Sequence, residues 1–351
     1  GGPFFGALSD RFGRKAVLLA GMLAMSVGYL CGAVSLTEKW LSLLFVSSML
    51  AGFASGTSAV IFATVADVDP ERKAVNLGFL AAASACGSII GPIVGGHLSS
   101  PSFVAWFNLE TPFYFMVMML AMMAGVIAVA AFPPQQKVMA KINLFSSIHA
   151  LKKSFSVSPL KFWLLAYFFM AVSMMTLSVS MPIVAVNKFH VDRVWLGNVF
   201  AAGGACSVFT AFVLNRLLSR WLSSSTLFVL GLSALMCSLL LFYVPTQAWM
   251  VYIPYCLFAS SSVIAMAHCN HLVSEAAGRD QTGHIFGVTQ SLLSLGLVAG
   301  PLVGSLIAAV HYNLAILFAL SNCVISLCFA LWLARQASAS PPTAAPHSTS
   351  S

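Results

Sequence analysis

The sequence predicts an all-α, polytopic membrane protein, on three observations. Charged residues make up 7% of the 351 and apolar residues 59%, too little polarity to cover a water-facing surface. Apolar windows near the ~20 residues that an α-helix needs to cross a bilayer recur along the whole chain. The halves also repeat: Gly78, Gly87, Gly91, Pro92 and Gly95 return after a shift of 209 as Gly287, Gly296, Gly300, Pro301 and Gly304, and the same shift carries Leu8 onto Leu217 and Arg11 onto Arg220. One offset serving both places marks a duplicated six-helix unit.

Taken in order, Gly1 to about Leu8 is apolar but too short to span, so the chain is expected to begin inside a helix and to lack the first helix and most of the second of a twelve-helix plan. The knot DRFGRK separates it from a span at about 16–36, followed by spans at 41–65, 76–98 and 112–132. The connection VADVDPERK lies between the second and third of these four. After a long polar connection come spans at 162–186, 196–214, 225–244, 250–272, 285–309 and 313–334, giving ten complete spans. The expected domains are therefore 1–132, a helical half; 133–161, a linker; 162–334, a second helical half; and 335–351, a tail. The linker carries five lysines, and its middle, KINLFSSIHALKKSF, has apolar residues at helical spacing suited to lying on an anionic leaflet. The tail SASPPTAAPHSTSS has the composition of a disordered segment.

The net charge of +8 is a topology signal rather than a nucleic-acid footprint. With the connections numbered alternately, one side of the membrane receives only Lys39, Lys188 and Arg193 of the 17 basic residues, and the other receives the remaining 14. The positive-inside bias then places the DRFGRK loop, the linker and the tail in the cytoplasm. All eight cysteines fall inside spans, and neither a CxxC nor a Cys/His spacing calls for a metal. They read as small packing residues.

Residues 6–18, GALSDRFGRKAVL, concentrate charge between two apolar runs. Gly6 and Gly13 permit a sharp turn, and Asp10 can face the positive end of a neighbouring helix. Gly87, Gly91 and Gly95 share one helix face at spacing i, i+4, i+8, which permits a close crossing, while Pro92 removes a backbone hydrogen bond there. His268 and His271 flank Asn270 near the end of a span; such groups read either as proton carriers or as satisfied structural histidines. Thr176, Ser180, Asn198, Asn270 and Gln290 are polar residues within spans that could line a cavity or hydrogen-bond between helices. Every Asp and Glu lies in a loop or at a span end, so no carboxylate is expected at mid-membrane depth.

On these residues the chain resembles the major facilitator superfamily over essentially its full length. Residues 6–18 match the family's loop signature G-x-L-x-D-R-x-G-R-K-x-x-L at each specified position, Gly6, Leu8, Asp10, Arg11, Gly13, Arg14, Lys15 and Leu18. Residues 78–96 match the fifth-helix signature G-x8-G-x3-G-P-x2-G-G at Gly78, Gly87, Gly91, Pro92, Gly95 and Gly96, which is associated with drug:proton antiporters of the multidrug and tetracycline type. The family's fourth-helix arginine is replaced by Ser47 or Ser48. The resemblance implies a gating loop in which Arg14 pairs with Asp67, and alternating access as the mode of transport. It also implies a small amphiphilic substrate, protons as coupling partner, no cofactor, a monomer, and residence in the bacterial inner membrane. A metabolite-uptake symporter and a non-transporting sensor on the same scaffold are the alternatives. A membrane-embedded enzyme is disfavoured because HExxH, GxSxG and paired intramembrane carboxylates are lacking, and without GxxxxGK[ST] the energy must come from a gradient.

Overall fold

The computed structural model describes the backbone of residues 2–68, 72–102, 104–130, 132, 160–277 and 282–339. The side chains of Asp67 and Gln290, most of the 133–161 linker and the tail beyond 339 lie outside the described residues. Among those described, ten helical segments are long and apolar enough to span a membrane, at 14–37, 41–65, 75–98, 111–129, 160–189, 193–218, 224–241, 248–276, 291–310 and 313–336.

The first helices are α1 (Gly2–Phe12), α2 (Arg14–Thr37), α3 (Leu41–Ala54) and α4 (Ser58–Val68), the last two joined by a 3-10 turn over Ser55–Thr57 into one span. Next come α5 (Lys73–Leu98) and α6 (Thr111–Val129), then α7 (Leu160–Phe189) and α8 (Arg193–Phe209). A π-turn over Thr210–Leu214 joins α8 to α9 (Asn215–Leu218). The chain continues as α10 (Ser224–Leu241), α11 (Tyr252–Ala277), α12 (Thr282–Val310) and α13 (Tyr312–Ala339), the last running past the expected span end at 334.

Two compact units result: Gly1–Ser146 with Asp192–Gly204, and Ser147–Val191 with Ala205–Ser351. In the first, α2 is central, and glycines are where its neighbours come close. A Cβ on Gly21 would collide with the Thr57 side chain, one on Gly28 would lie 3.1 Å from the Ala51 backbone nitrogen, and one on Gly32 would lie 2.7 Å from the Phe113 ring. Ser47 is buried in this seam, its carbonyl 3.2 Å from a Cβ on Gly28, while Ser48 is exposed. An arginine would not fit at 47 without parting α2 from α3.

In the second unit α7 is central. Hydroxyl-to-carbonyl bonds join it to α13 in both directions: Ser173 of α7 donates to Ala319 O at 2.7 Å, and Ser326 of α13 donates to Ala166 O at 2.8 Å. With lipid tails as apolar as leucine, close packing and such hydrogen bonds hold membrane helices together. Large side chains such as Leu23, Met49, Phe79, Leu230, Val298 and Leu306 are left exposed, as a lipid-facing surface requires.

Candidate functional site

The charged knot is a helix-to-helix corner. α1 ends at Phe12, α2 begins at Arg14, and Gly13 between them has φ 92° and ψ 146°. Gly13 N–H donates to Ser9 O at 2.9 Å, and Gly13 O accepts from Val17 N–H at 3.3 Å. This backbone conformation suits only glycine, so Gly13→Ala should cost about 1–3 kcal/mol and lower the thermal midpoint of the purified protein. Leu8 packs on the buried cluster Phe5, Val17, Leu18 and Val60 and anchors the corner.

The corner's charges divide their work. Asp10 and Arg11 are exposed, with Arg11 Cζ 5.3 Å from the Phe12 ring centroid. Arg14 is half-buried. Lys15 donates to Ala130 O at 3.0 Å, just past the end of α6, and lies 6.0 Å from the Phe132 ring centroid. A cation at a helix C-terminus meets the negative end of the helix dipole, so Lys15 ties α2 to α6.

Along α5 the contacting face differs from the glycine face. Gly78, Gly87, Gly91 and Gly95 have no described atom within 4 Å of where a Cβ would stand. The crossing with residues 192–204 runs instead through Ser88, Pro92 and Gly96. A Cβ on Gly96 would lie 2.9 Å from Arg193 O, one on Gly197 would collide with Pro92 O, and one on Gly204 would lie 2.8 Å from Ser88 O. Arg193 closes this seam by donating from Nη1 to Ser99 O at 2.6 Å. The α-helix continues through Pro92.

The repeat-related glycines of α12 are used differently. Gly296, Gly300 and Gly304 all press on α7, with virtual Cβ positions 2.8 Å from Ala171, 2.7 Å from Met175 and 2.9 Å from Thr176. Thr176 donates to Val172 O at 2.8 Å and to Gly300 O at 3.3 Å, and is fully buried in that seam. Ser180, one turn on, is also fully buried, with no partner for its hydroxyl among the described residues. Asn198 is exposed, and Asn270 is half-buried.

One pairing has no warning in the sequence. His268 on α11 is only 7% exposed, and its Nε2 lies 2.9 Å from Oδ1 of Asn215, the first residue after the π-turn. His271 is exposed, with Nδ1 3.9 Å from Glu275 Oε2. All eight cysteines are free thiols, and no group of three metal-ligating side chains is found among the described residues.

Helical spans, a duplicated plan and the loop signature narrow the class, and the model of one family matches residues 1–301. The chain belongs to the Major Facilitator Superfamily. Among its relatives, the class E tetracycline resistance protein of Escherichia coli is 27% identical over 310 residues, covering 86% of this chain and 73% of that protein. Multidrug resistance protein 1 of Bacillus subtilis is 25% identical over 334 residues, covering 90% of this chain and 79% of the relative. The crystal structure of the human organic anion transporter MFSD10 superposes with a TM-score of 0.63 at 21% identity, over 95% of this chain and 80% of that one. Like other members of the superfamily, this is a multi-pass membrane transporter of small molecules rather than an enzyme, and the bilayer is its solvent.

Proposed function

We propose that this superfamily member exports small amphiphilic compounds by alternating access, in exchange for protons. The observation that carries the reading is the 78–96 signature, on a chain whose likeness to tetracycline and multidrug resistance proteins extends over 86% and 90% of its length. The positive-inside division puts the DRFGRK corner, the linker and the C-terminus in the cytoplasm, with the protein a monomer in the bacterial plasma membrane. The two helical halves, 1–132 and 162–334, are the rocking bodies, and the 133–161 linker joins them. The corner residues Gly6 to Lys15, with Asp67, serve as the gate.

The test is dye accumulation. Cells of a drug-sensitive host expressing the full-length protein should hold less ethidium and less tetracycline than cells carrying an empty vector, and a protonophore should abolish the difference. Equal accumulation with and without the protein would remove export from the reading. A difference that survives the protonophore would remove proton exchange.

A further inference from the structure

We propose that α11 carries a proton path, Glu275 to His271 to His268, ending at the hydrogen bond between His268 and Asn215 beside the π-turn. The path's use in transport rests on the export reading; its ability to bind a proton does not.

Three observations converge on it. First, the three side chains fall at i, i+3 and i+7 of one helix, so they share a face with neighbours about 5–6 Å apart at Cβ. Second, their exposure falls inward: 72% for Glu275, 63% for His271 and 7% for His268. A surface carboxylate and imidazole thus lead to a buried one. Third, among the described residues His268 is the buried histidine, and no carboxylate lies within a span except Glu275 at the end of 248–276. His268 stands eight residues from that end, roughly 12 Å of helix rise.

The chemistry follows from the partner. Asn215 Oδ1 is an acceptor, so neutral His268 carries its hydrogen on Nε2 and presents a lone pair at Nδ1. An arriving proton binds Nδ1. The Nε2–H bond to Asn215 then becomes charge-assisted and pulls harder on the N-terminal end of α9. That end is joined to α8 by the π-turn Thr210–Leu214, where the helical ladder is already loosened. Protonation is thereby tied to the register of a span.

Few other ionisable groups face the site. Among the described residues, Arg216, next to Asn215, is exposed, while Tyr167 of α7 and Cys269 of α11 itself are buried. α10 carries no charged residue, and its Cys237 lies six residues beyond Gly231, which packs on Ala265, so about 9 Å further along. The side chain of His284 on α12 lies outside the described residues.

The experiment is solid-state NMR of the full-length protein, labelled with 15N-histidine, in vesicles of phosphatidylethanolamine and phosphatidylglycerol. His268 signals are assigned by their loss in His268→Gln. Between about pH 5 and pH 8 they should pass in one step from a doubly protonated ring to the Nε2–H tautomer, and Asn215→Leu should remove the tautomer preference. In the same vesicles, His268→Gln should lower pH-gradient-driven ethidium accumulation by about 100-fold, while His190→Gln should keep it. A single neutral form of His268 across the range overturns the proton site. Titration without loss of uphill transport in His268→Gln overturns its coupling role. Should the unsubstituted protein move no ethidium, the export reading fails, and the titration still decides the site.

Discussion

Gly300→Val should largely eliminate folded protein from the membrane. A Cβ at 300 would lie 2.7 Å from Met175 Cβ, 3.0 Å from Thr176 N and 3.0 Å from Val172 O. Two of these three neighbours are backbone atoms of α7, which cannot turn aside as a side chain can. To admit the valine, α12 must move off α7, and the Thr176 hydrogen bond to Gly300 O goes with it. Overpacking of this kind costs about 3 kcal/mol, a large part of the roughly 5–15 kcal/mol that holds a domain together. The measurement is the yield of monodisperse protein after detergent extraction, with its thermal midpoint. Gly52→Ala is the matched comparison, since no described atom lies within 4 Å of its Cβ position. It should gain stability, because alanine is favoured over glycine in a helix interior by about 1 kcal/mol. Normal yield for Gly300→Val would mean that α7 and α12 are not in close contact.

The spans were legible because span-forming hydrophobicity is a one-dimensional property: length and apolar content decide it, and partner helices hardly matter. The ten expected spans agree with the helices to within a few residues at most ends, the largest differences being five, where α11 runs on to Ala277 and α13 to Ala339. Which face of a span meets which neighbour is a different kind of information. On α5 two small-residue stripes run side by side, Gly87–Gly91–Gly95 and Ser88–Pro92–Gly96, one residue and so about 100° apart around the helix. Sequence spacing favours the all-glycine stripe, yet the described crossing uses the other, because the carbonyls of Ser88 and Pro92 are what Gly204 and Gly197 receive. The His268–Asn215 pair was hidden for a related reason: 53 residues separate the partners, and neither residue's local pattern points to the other. A π-turn likewise leaves no mark in TAFVL that composition could reveal. The family arginine replaced at 47 or 48 has a local explanation only in three dimensions, where Ser47 meets Gly28.

Asp10→Asn and Lys15→Ala should separate stability from turnover in opposite ways. Asp10 occupies the last turn of α1, where a carboxylate faces the negative end of its own helix dipole, and it is exposed. Among the described residues it forms no hydrogen bond or ion pair. Neutralising it therefore removes no described contact, and relief from the dipole should leave the thermal midpoint unchanged or slightly raised, by about 0.3–1 kcal/mol. Lys15 is the reverse case, because it bonds Ala130 O at 3.0 Å. Losing that charged hydrogen bond should cost about 1.5–3 kcal/mol, visible as a lower midpoint. Transport should follow the other order if the corner is a gate: Asp10→Asn slows ethidium export by the intact protein more than Lys15→Ala does, and raises labelling of the cavity from the cytoplasmic side. A surface ion pair such as Arg14 with Asp67 contributes only about 0.2–1 kcal/mol, too little to hold a conformation alone. The gate must then act cooperatively, with Asp10 as one of several contacts. In that case the exchange of Arg14→Asp with Asp67→Arg should restore part of what each single change loses. Wild-type export by Asp10→Asn, with unaltered labelling, would reduce the corner to a topological anchor and leave the carboxylate without a role.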